Sequence, residues 1–431
     1  MAGEPAVVST RSPTVALVAW GDRFEDFYEH LGVTLEDLRE RLVGDWMFNY
    51  VEALRSAGVR TVLFFASARV EEPLRFLHRP TGATVCVLPS PRIHQKARGL
   101  QDRFWPSSTT MLTVSSYLST PPRLLGRELR RERCDVILCQ DYDHPRFDVC
   151  VTLGRLLRLP VFATFQGAAR AVGPVEYGLR RLALHAAAGL IIGASSERER
   201  VRARYRVPAA KVAHIPNPVD VGAWRAVDRG QARARLGIPP EARVVGWHGR
   251  IELLRKGLDV LLEAWTRICD ARPRAPLLLL LVGTGRDAGE LRRRLDALRL
   301  DNVRWIDRYV HDRGLLVQYL SAVDVYAFPS RHEGYAVATL EAMACGVPVV
   351  AADAPGAADL LEEGERSGGI MVPRADAGAL AAVLGRLLDD EQRSRRLGAR
   401  ARQYVEQQFS LEKVGAELRE FLAGWRAVGG R

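Results

Sequence analysis

Lysine is nearly missing from this chain: only four occur (Lys96, Lys211, Lys256 and Lys413) among 62 basic residues. Arginine supplies the rest. With abundant alanine, that balance reads more readily as coding bias than as a dedicated patch, although a formal net charge of +11 favours anionic ligands and surfaces. Cysteine is sparse too. Six are scattered at 86, 134, 139, 150, 269 and 345. They show no metal-ligand spacing and no compact disulfide framework, so free thiols in a reducing cytoplasm are expected. Long apolar runs are absent. Stretches such as Leu277 to Val282 have strand length, far short of the ~20 residues that span a bilayer. Any membrane contact is therefore expected to be peripheral, at the inner face of an anionic membrane. Residues 1–14 lack a basic region followed by an apolar core, so no signal peptide is expected. Neither a solenoid repeat nor a low-complexity segment occurs.

What is present suits two domains. The chain has 431 residues, 47% of them hydrophobic and 26% charged, enough for two cores of roughly 200 residues each. Apolar runs at Thr14 to Ala19, Thr61 to Ala66, Asp135 to Cys139, Val161 to Thr164 and Leu190 to Gly193 read as strands, with helices between them. The rhythm breaks at Ile215-Pro216-Asn217-Pro218-Val219-Asp220, where two prolines and an asparagine punctuate the chain. It restarts with strands at Val244 to Trp247, Leu277 to Val282, Val303 to Ile306, Val325 to Phe328 and Val347 to Ala351. This alternation predicts α/β architecture, with two doubly wound parallel sheets. The expected domains are 1–215 and 216–408, followed by an amphipathic helix in 409–431. Ligands in such sheets bind at the carboxyl ends of the strands, which places the site in the cleft between the domains.

Two clusters carry chemistry. In the first, Ser330 to Glu341, Glu333 is expected to open a helix over Tyr335 to Ala344, with Glu341 eight residues on. A helical rise would set the two ~12 Å apart, about the span from a sugar across a diphosphate to a ribose. Gly334 and Tyr335 would offer backbone N–H groups to a phosphate. Glu341 enters a small-residue run that should be buried, so it needs a polar partner. In the second cluster, Gly249 to Gly257, Arg250 and Lys256 can hold a diphosphate and offset the charge of its departure. Gly283-Thr284-Gly285 adds a glycine turn at the same sheet edge.

These residues resemble the retaining glycosyltransferases of family 4. Glu333 to Glu341 is similar to their E-x7-E motif, and Arg250 and Lys256 to their phosphate-binding pair. The five-residue gap between those cations is similar to that of phosphatidylinositol mannosyltransferases. The resemblance runs from about Ala194 to Pro373 and is weak before it. It implies a GT-B fold, two Rossmann-like domains facing across a cleft, with the last helix crossing back to the first domain. It also implies that a hexosyl group moves with retention from a UDP- or GDP-linked sugar to an acceptor hydroxyl, with no cofactor, no metal and no nucleic-acid partner. Arg250 and Lys256 would bind the diphosphate, Glu333 the sugar hydroxyls, Glu341 the ribose, and Gly283, Gly334, Tyr335 and Ala336 would line the donor site.

The first domain departs from the family pattern. Gln166 stands where many members have histidine; its amide can orient a hydroxyl but cannot act as a base. The usual glycine pair after the first strand is reduced to Gly21, followed by Asp22. Ala336 replaces a frequent glycine. Asp141-Tyr142-Asp143 resembles a metal-binding D-x-D, but in this fold it reads better as a loop lining the acceptor cleft, with His144 beside it. Gly21, Asp22, Asp143, His144 and Gln166 are thus the acceptor-side candidates, for a glycan, lipid-linked or small-molecule acceptor. His248 could face the cleft and His332 could support it from behind, while Ser195 and Ser196 read as helix N-caps. Two rivals stay open: a nucleotide-sugar epimerase, and a glycosyltransferase-like partner protein that binds nucleotide-sugar with little activity.

Overall fold

The apolar runs pair into two separate sheets. A computed structural model describes residues 12–428, apart from 44–45, 106–107 and 168–171. The first sheet contains β1 (Thr14–Val18), β2 (Arg60–Ser67), β3 (Leu74–Leu77), β4 (Thr84–Pro89), β5 (Val136–Cys139), β6 (Val161–Thr164), β7 (Gly189–Ile191) and β8 (Val212–Ala213). Their order is β3-β4-β2-β1-β5-β6-β7-β8, parallel except for the β3–β4 pair. The second sheet contains β9 (Arg243–His248), β10 (Leu277–Val282), β11 (Val303–Ile306), β12 (Val325–Phe328), β13 (Val349–Ala352) and β14 (Gly369–Val372). It is wholly parallel, in the order β11-β10-β9-β12-β13-β14. Strands buried on both faces read as unbroken apolar runs, and Leu277–Val282 is one of these.

Helices cover both faces of each sheet and divide each domain's core into two layers. Local chemistry starts them. Asp228, Asp312, Asp376 and Asp390 each accept the N–H three residues on, satisfying a donor that the helix cannot. Several elements have little sequence signature. The edge strand β3 is largely exposed, β8 has two residues, and the helix Glu391–Gln408 is dominated by charge. The strand expected from Val347 begins at Val349, because Pro348 has no N–H to give the ladder. Ser195 and Ser196 are not caps. Ala194 occupies that position, and the Ser195 N–H is held instead by Asp359 of the second domain at 2.9 Å.

The chain passes between the domains twice, and the two passes lie side by side. Val219 donates to the Phe409 carbonyl at 2.8 Å, and Val219 forms a parallel bridge with Ser410. Beyond it, the helix Leu411–Val428 lies on the helix Trp46–Ser56 of the first domain. Val414, Leu418 and Leu422 enter the first-domain core beside Met47, Val51 and Leu54. Arg419 donates to the Ala57 carbonyl at 2.9 Å. The two helices touch at Gly415, where an added Cβ would lie 2.1 Å from the Ala53 carbonyl oxygen.

That contact separates two glycine substitutions in one helix. Gly415→Ala should lower the melting temperature, with overpacking costing about 1–3 kcal/mol. Gly424→Ala, where nothing lies within 4 Å, should raise stability by up to ~1 kcal/mol through helix propensity. Equal shifts of one sign in thermal denaturation would remove the close-packing argument.

Candidate functional site

In the second sheet the connections from β9 and β12 leave in opposite directions, which opens a crevice at their carboxyl ends. The loops that follow these strands carry the charged residues. The Lys256 Nζ sits 2.7 Å from Glu333 Oε1. Glu341 Oε2 lies 2.8 Å from His248 Nε2. Both carboxylates are less than a tenth exposed, so each meets the requirement that a buried acid have a partner. Tyr326 fixes the end of β9, donating its hydroxyl to the His248 carbonyl at 3.1 Å. Arg250 reaches across the cleft, its guanidinium 4.7 Å from the centre of the Phe27 ring in the first domain. One guanidinium nitrogen also lies 3.6 Å from Glu252 Oε1, and because the ring meets the guanidinium through its face, the edge can still fork onto an oxyanion. Gly283 packs backbone on backbone: at φ +133 an added Cβ would lie 1.9 Å from the Gly249 carbonyl oxygen.

The E-x7-E segment differs from expectation at its start. The helix begins at Val337, with Ala336 as its cap, so Glu333, Gly334 and Tyr335 lie in the preceding loop. A helical rise therefore does not measure the separation of Glu333 and Glu341. Contacts from both sides hold the loop out of the helix. Glu333 donates its N–H to the Pro355 carbonyl at 3.3 Å. A Cβ on Gly334 would lie 2.1 Å from the carbonyl carbon of Gln166. Tyr335 and Ala336 are buried in the core. The Tyr335 ring lies against Gly193, and burial pushes its phenol well above the ordinary value.

In the first sheet the direction reverses between β1 and β5, and the acceptor-side candidates gather there. Gly21, at φ +86, makes the turn that delivers Asp22. Asp22 is buried. Its Oδ1 lies 3.3 Å from His144 Nε2, and its Oδ2 accepts from the Ser116 hydroxyl at 3.0 Å and lies 3.5 Å from Arg98. Burial raises this carboxyl, but the hydrogen bond from His144 and the charges of His144, Arg146 and His94 outweigh it and hold Asp22 well below the usual carboxylate range. His144 caps the helix Pro145–Leu157 through Nδ1, which accepts the Arg146 N–H. Nε2 is therefore the nitrogen that carries a proton toward Asp22. Arg146 braces the loop, donating to the Ala19 carbonyl at 2.7 Å and the Asp22 carbonyl at 2.9 Å.

Asp141 and Asp143 are both buried. Burial and the neighbouring Asp143 raise Asp141 well above its ordinary value, and burial raises Asp143. Among the described residues, no group of three or more His, Cys, Asp or Glu side chains could hold a metal ion. Gln166 does not face a ligand alone. Its amide pairs both ways with that of Asn217, at 2.7 and 3.1 Å, so the first-domain loop is tied to the interdomain connection. Sequence reasoning missed that partner, although the prolines on either side of Asn217 mark a rigid position. It also missed Phe27 beneath Arg250, for which no local pattern exists. His332 lies at the rim, where burial followed by the charge of Arg255 lowers its basicity.

Comparisons with known proteins fit this geometry. Residues 43–223 match the family model described as Glycosyltransferase Family 4, and residues 242–390 match Glycosyl transferases group 1. A GDP-mannose-dependent monoacylated alpha-(1-6)-phosphatidylinositol monomannoside mannosyltransferase from Corynebacterium glutamicum is 33% identical over 219 residues, 48% of this chain and 55% of that protein. A D-inositol 3-phosphate glycosyltransferase from Kineococcus radiotolerans is 34% identical over 234 residues, 51% of this chain and 53% of that one. The chain thus spans about half the length of these curated relatives. Among solved structures, a sucrose-phosphate synthase from Thermosynechococcus elongatus superposes with a TM-score of 0.72 at 21% identity, covering 96% of this chain and 100% of that one. Anabaena HepE in complex with UDP-glucose gives 0.65 at 18% identity, covering 95% and 99%. These two likenesses show the fold. With one family model on each sheet domain and the E-x7-E loop at the switch point of the second, the chain belongs to the family 4 glycosyltransferases of GT-B fold.

Proposed function

We propose that this chain is a retaining hexosyltransferase, moving a sugar from a UDP- or GDP-linked donor to an acceptor hydroxyl. The observation that carries the reading is the convergence of Arg250, the Lys256–Glu333 pair and the His248–Glu341 pair on one crevice. Lys256 and Arg250 bind the donor diphosphate and offset the charge that grows as it leaves. Two cations suffice for that role, so no metal or cofactor is assigned. Glu333 accepts from sugar hydroxyls, and Glu341, held by His248, accepts from the ribose. Gly283 sets the crevice wall, and the backbone from Gly334 to Ala336 faces the sugar and phosphate.

The acceptor enters from the first domain, past Gly21, Asp22, Asp143, His144 and Gln166. Retention requires departure and attack on one face of the sugar, so the phosphate leaving group is itself the nearest base. Asp22 and His144 then position the acceptor hydroxyl. A lipid-linked acceptor is supported by the Corynebacterium glutamicum relative, whose name specifies a phosphatidylinositol mannoside. Among the described residues no helix is long and apolar enough to cross a membrane. The location that goes with a lipid-linked acceptor is cytoplasmic, in peripheral contact with the inner face of an anionic membrane. Neither the epimerase nor the inactive-partner reading is favoured by the family matches.

Thermal shift with a panel of UDP- and GDP-sugars tests the donor site. A donor at a hundred times its dissociation constant should add about 2.7 kcal/mol of stability, and Arg250→Ala and Glu341→Ala should each lose most of that gain. A folded wild type that no nucleotide-sugar stabilises would sink the assignment.

His248 offers a sharper test. A hydrogen bond to a charged group contributes about 1.5–3 kcal/mol. His248→Ala should therefore raise the donor KM by roughly tenfold or more, with little change in kcat, while His248→Gln keeps part of the effect. An unchanged KM in the alanine variant would free Glu341 from this partner.

A further inference from the structure

The segment 307–313 leaves the end of β11 and lies against the first domain. One backbone bond joins it to the donor crevice: the Ile306 carbonyl accepts the N–H of Gly283 at 3.0 Å. Val310 packs on the core of its own domain, whereas its neighbour Tyr309 packs on the core of the first. His311 meets the Tyr309 ring edge-on, with 4.7 Å between centres. Arg313 opens the helix Arg313–Ser321 and grips the connection between the domains. Its Nη1 donates to Asp220 Oδ2 at 3.3 Å, and its guanidinium lies 5.9 Å from the centre of the Trp224 ring. Asp220 is itself fixed, since its Oδ1 accepts the N–H groups of Gly222 and Ala223 at 3.0 and 2.9 Å.

Across the seam stands Glu52, on the helix Trp46–Ser56 of the first domain. Its Oε2 is withdrawn from water and, among the described residues, has no hydrogen-bond partner; Arg313 Nη2 is 3.9 Å away. That is about 1 Å beyond a charge-assisted hydrogen bond. Burial lifts the Glu52 carboxyl above its ordinary value, and the charge of Asp220 adds to it, against the pull of Arg313 and Arg55. His311 Nδ1 is a second withdrawn atom on this segment without a hydrogen-bond partner among the described residues. Two polar atoms are thus removed from water with no bond in return, which costs stability unless another arrangement satisfies them.

We propose that Arg313 is a positioning residue that latches the two domains, its Nη2 closing on Glu52 when the second domain turns about the connection that Nη1 holds. A movement of about 1 Å completes the bond. Arginine suits the task because its planar fork can hold one carboxylate with each arm. Here one arm is anchored on the connection at Asp220 and the other is aimed at the first domain. The segment that carries Arg313 begins at Ile306, against the Gly283 wall of the donor crevice, so a donor seated there bears on the latch. That use of the latch, holding the cleft aligned for transfer, rests on the transferase reading; the latch itself does not.

Small-angle X-ray scattering of the full chain, without ligand and with UDP or GDP, tests the latch. Without ligand, Glu52→Gln and Arg313→Ala should both enlarge the radius of gyration. Each should cut the share of compact conformers on the order of tenfold, the weight of one charge-assisted hydrogen bond. Arg313→Lys keeps the charge and should retain part of the compact population. Glu52→Gln removes an acid that has no hydrogen bond, so it should keep the wild-type melting temperature, and its scattering decides the matter even if Arg313→Ala folds poorly. Superimposable curves from wild type and Glu52→Gln overturn the proposal. So does expansion in Arg313→Ala that Glu52→Gln does not share, which would reduce Arg313 to a brace of Asp220. Thermal shift with the same nucleotides keeps the two readings apart: a wild type that binds neither loses the transferase assignment, while the ligand-free curves still decide the latch.

Discussion

Burying two carboxylates at the end of a sheet is the constraint on which the cleft is built. Glu333 and Glu341 are both withdrawn from water, and an unpaired buried acid would cost more than a domain's margin of stability allows. Each therefore recruits a base from the loop after β9 or from that strand's end. The pairing locks the loops after β9 and β12 together before any ligand arrives. A site assembled in advance spends less of the ligand's binding energy on ordering side chains. Breaking either pair by removing one partner would leave a lone buried charge, so the two positions of each pair constrain one another.

The second organising feature is contact between backbones across the cleft. Gly167 and Gly334 face each other so closely that a Cβ on either would collide with the other's main chain. Tyr335 fills the space beside Gly193, and Asp359 receives the Ser195 amide. With Arg250 on Phe27 and Gln166 on Asn217, the domains meet through small residues and a few directed polar contacts. Among the described residues, none of these contacts is a broad apolar face. Such an interface can part without exposing much hydrophobic surface, which suits domains that must move relative to one another.

The strands that position the site were legible because burial on both faces requires continuous apolar runs, as at Leu277–Val282 and Val325–Phe328. The charged loops were legible because motif spacing is local: Arg250, Lys256, Glu333 and Glu341 can all be read within short windows. What was not legible depends on partners distant in the chain. The helix over Tyr335 to Ala344 starts late because the Gln166–Gly167 peptide presses on Gly334. Ser195 has every local feature of a cap, yet its amide is claimed by Asp359. Gln166 was read as a ligand-facing amide, whereas its partner is Asn217. The clustering of Asp22, His144, Arg146 and Ser116 joins three separate segments, and no periodicity or spacing encodes it.

The doubled crossing at Val219 and Ser410 has a topological consequence. Because the C-terminal helix returns to the first domain, the second domain is an insertion within the first, attached by two adjacent strands. One backbone cut at the hinge leaves both halves tethered, and releasing the second domain takes two. The new ends of such a nicked chain would lie close together, and β1 and the helix Leu411–Val428 already share one core. Two parallel tethers also confine relative motion: they bend together readily but resist twisting, so the paths open to the second domain are closer to those of a hinged door than of a ball joint.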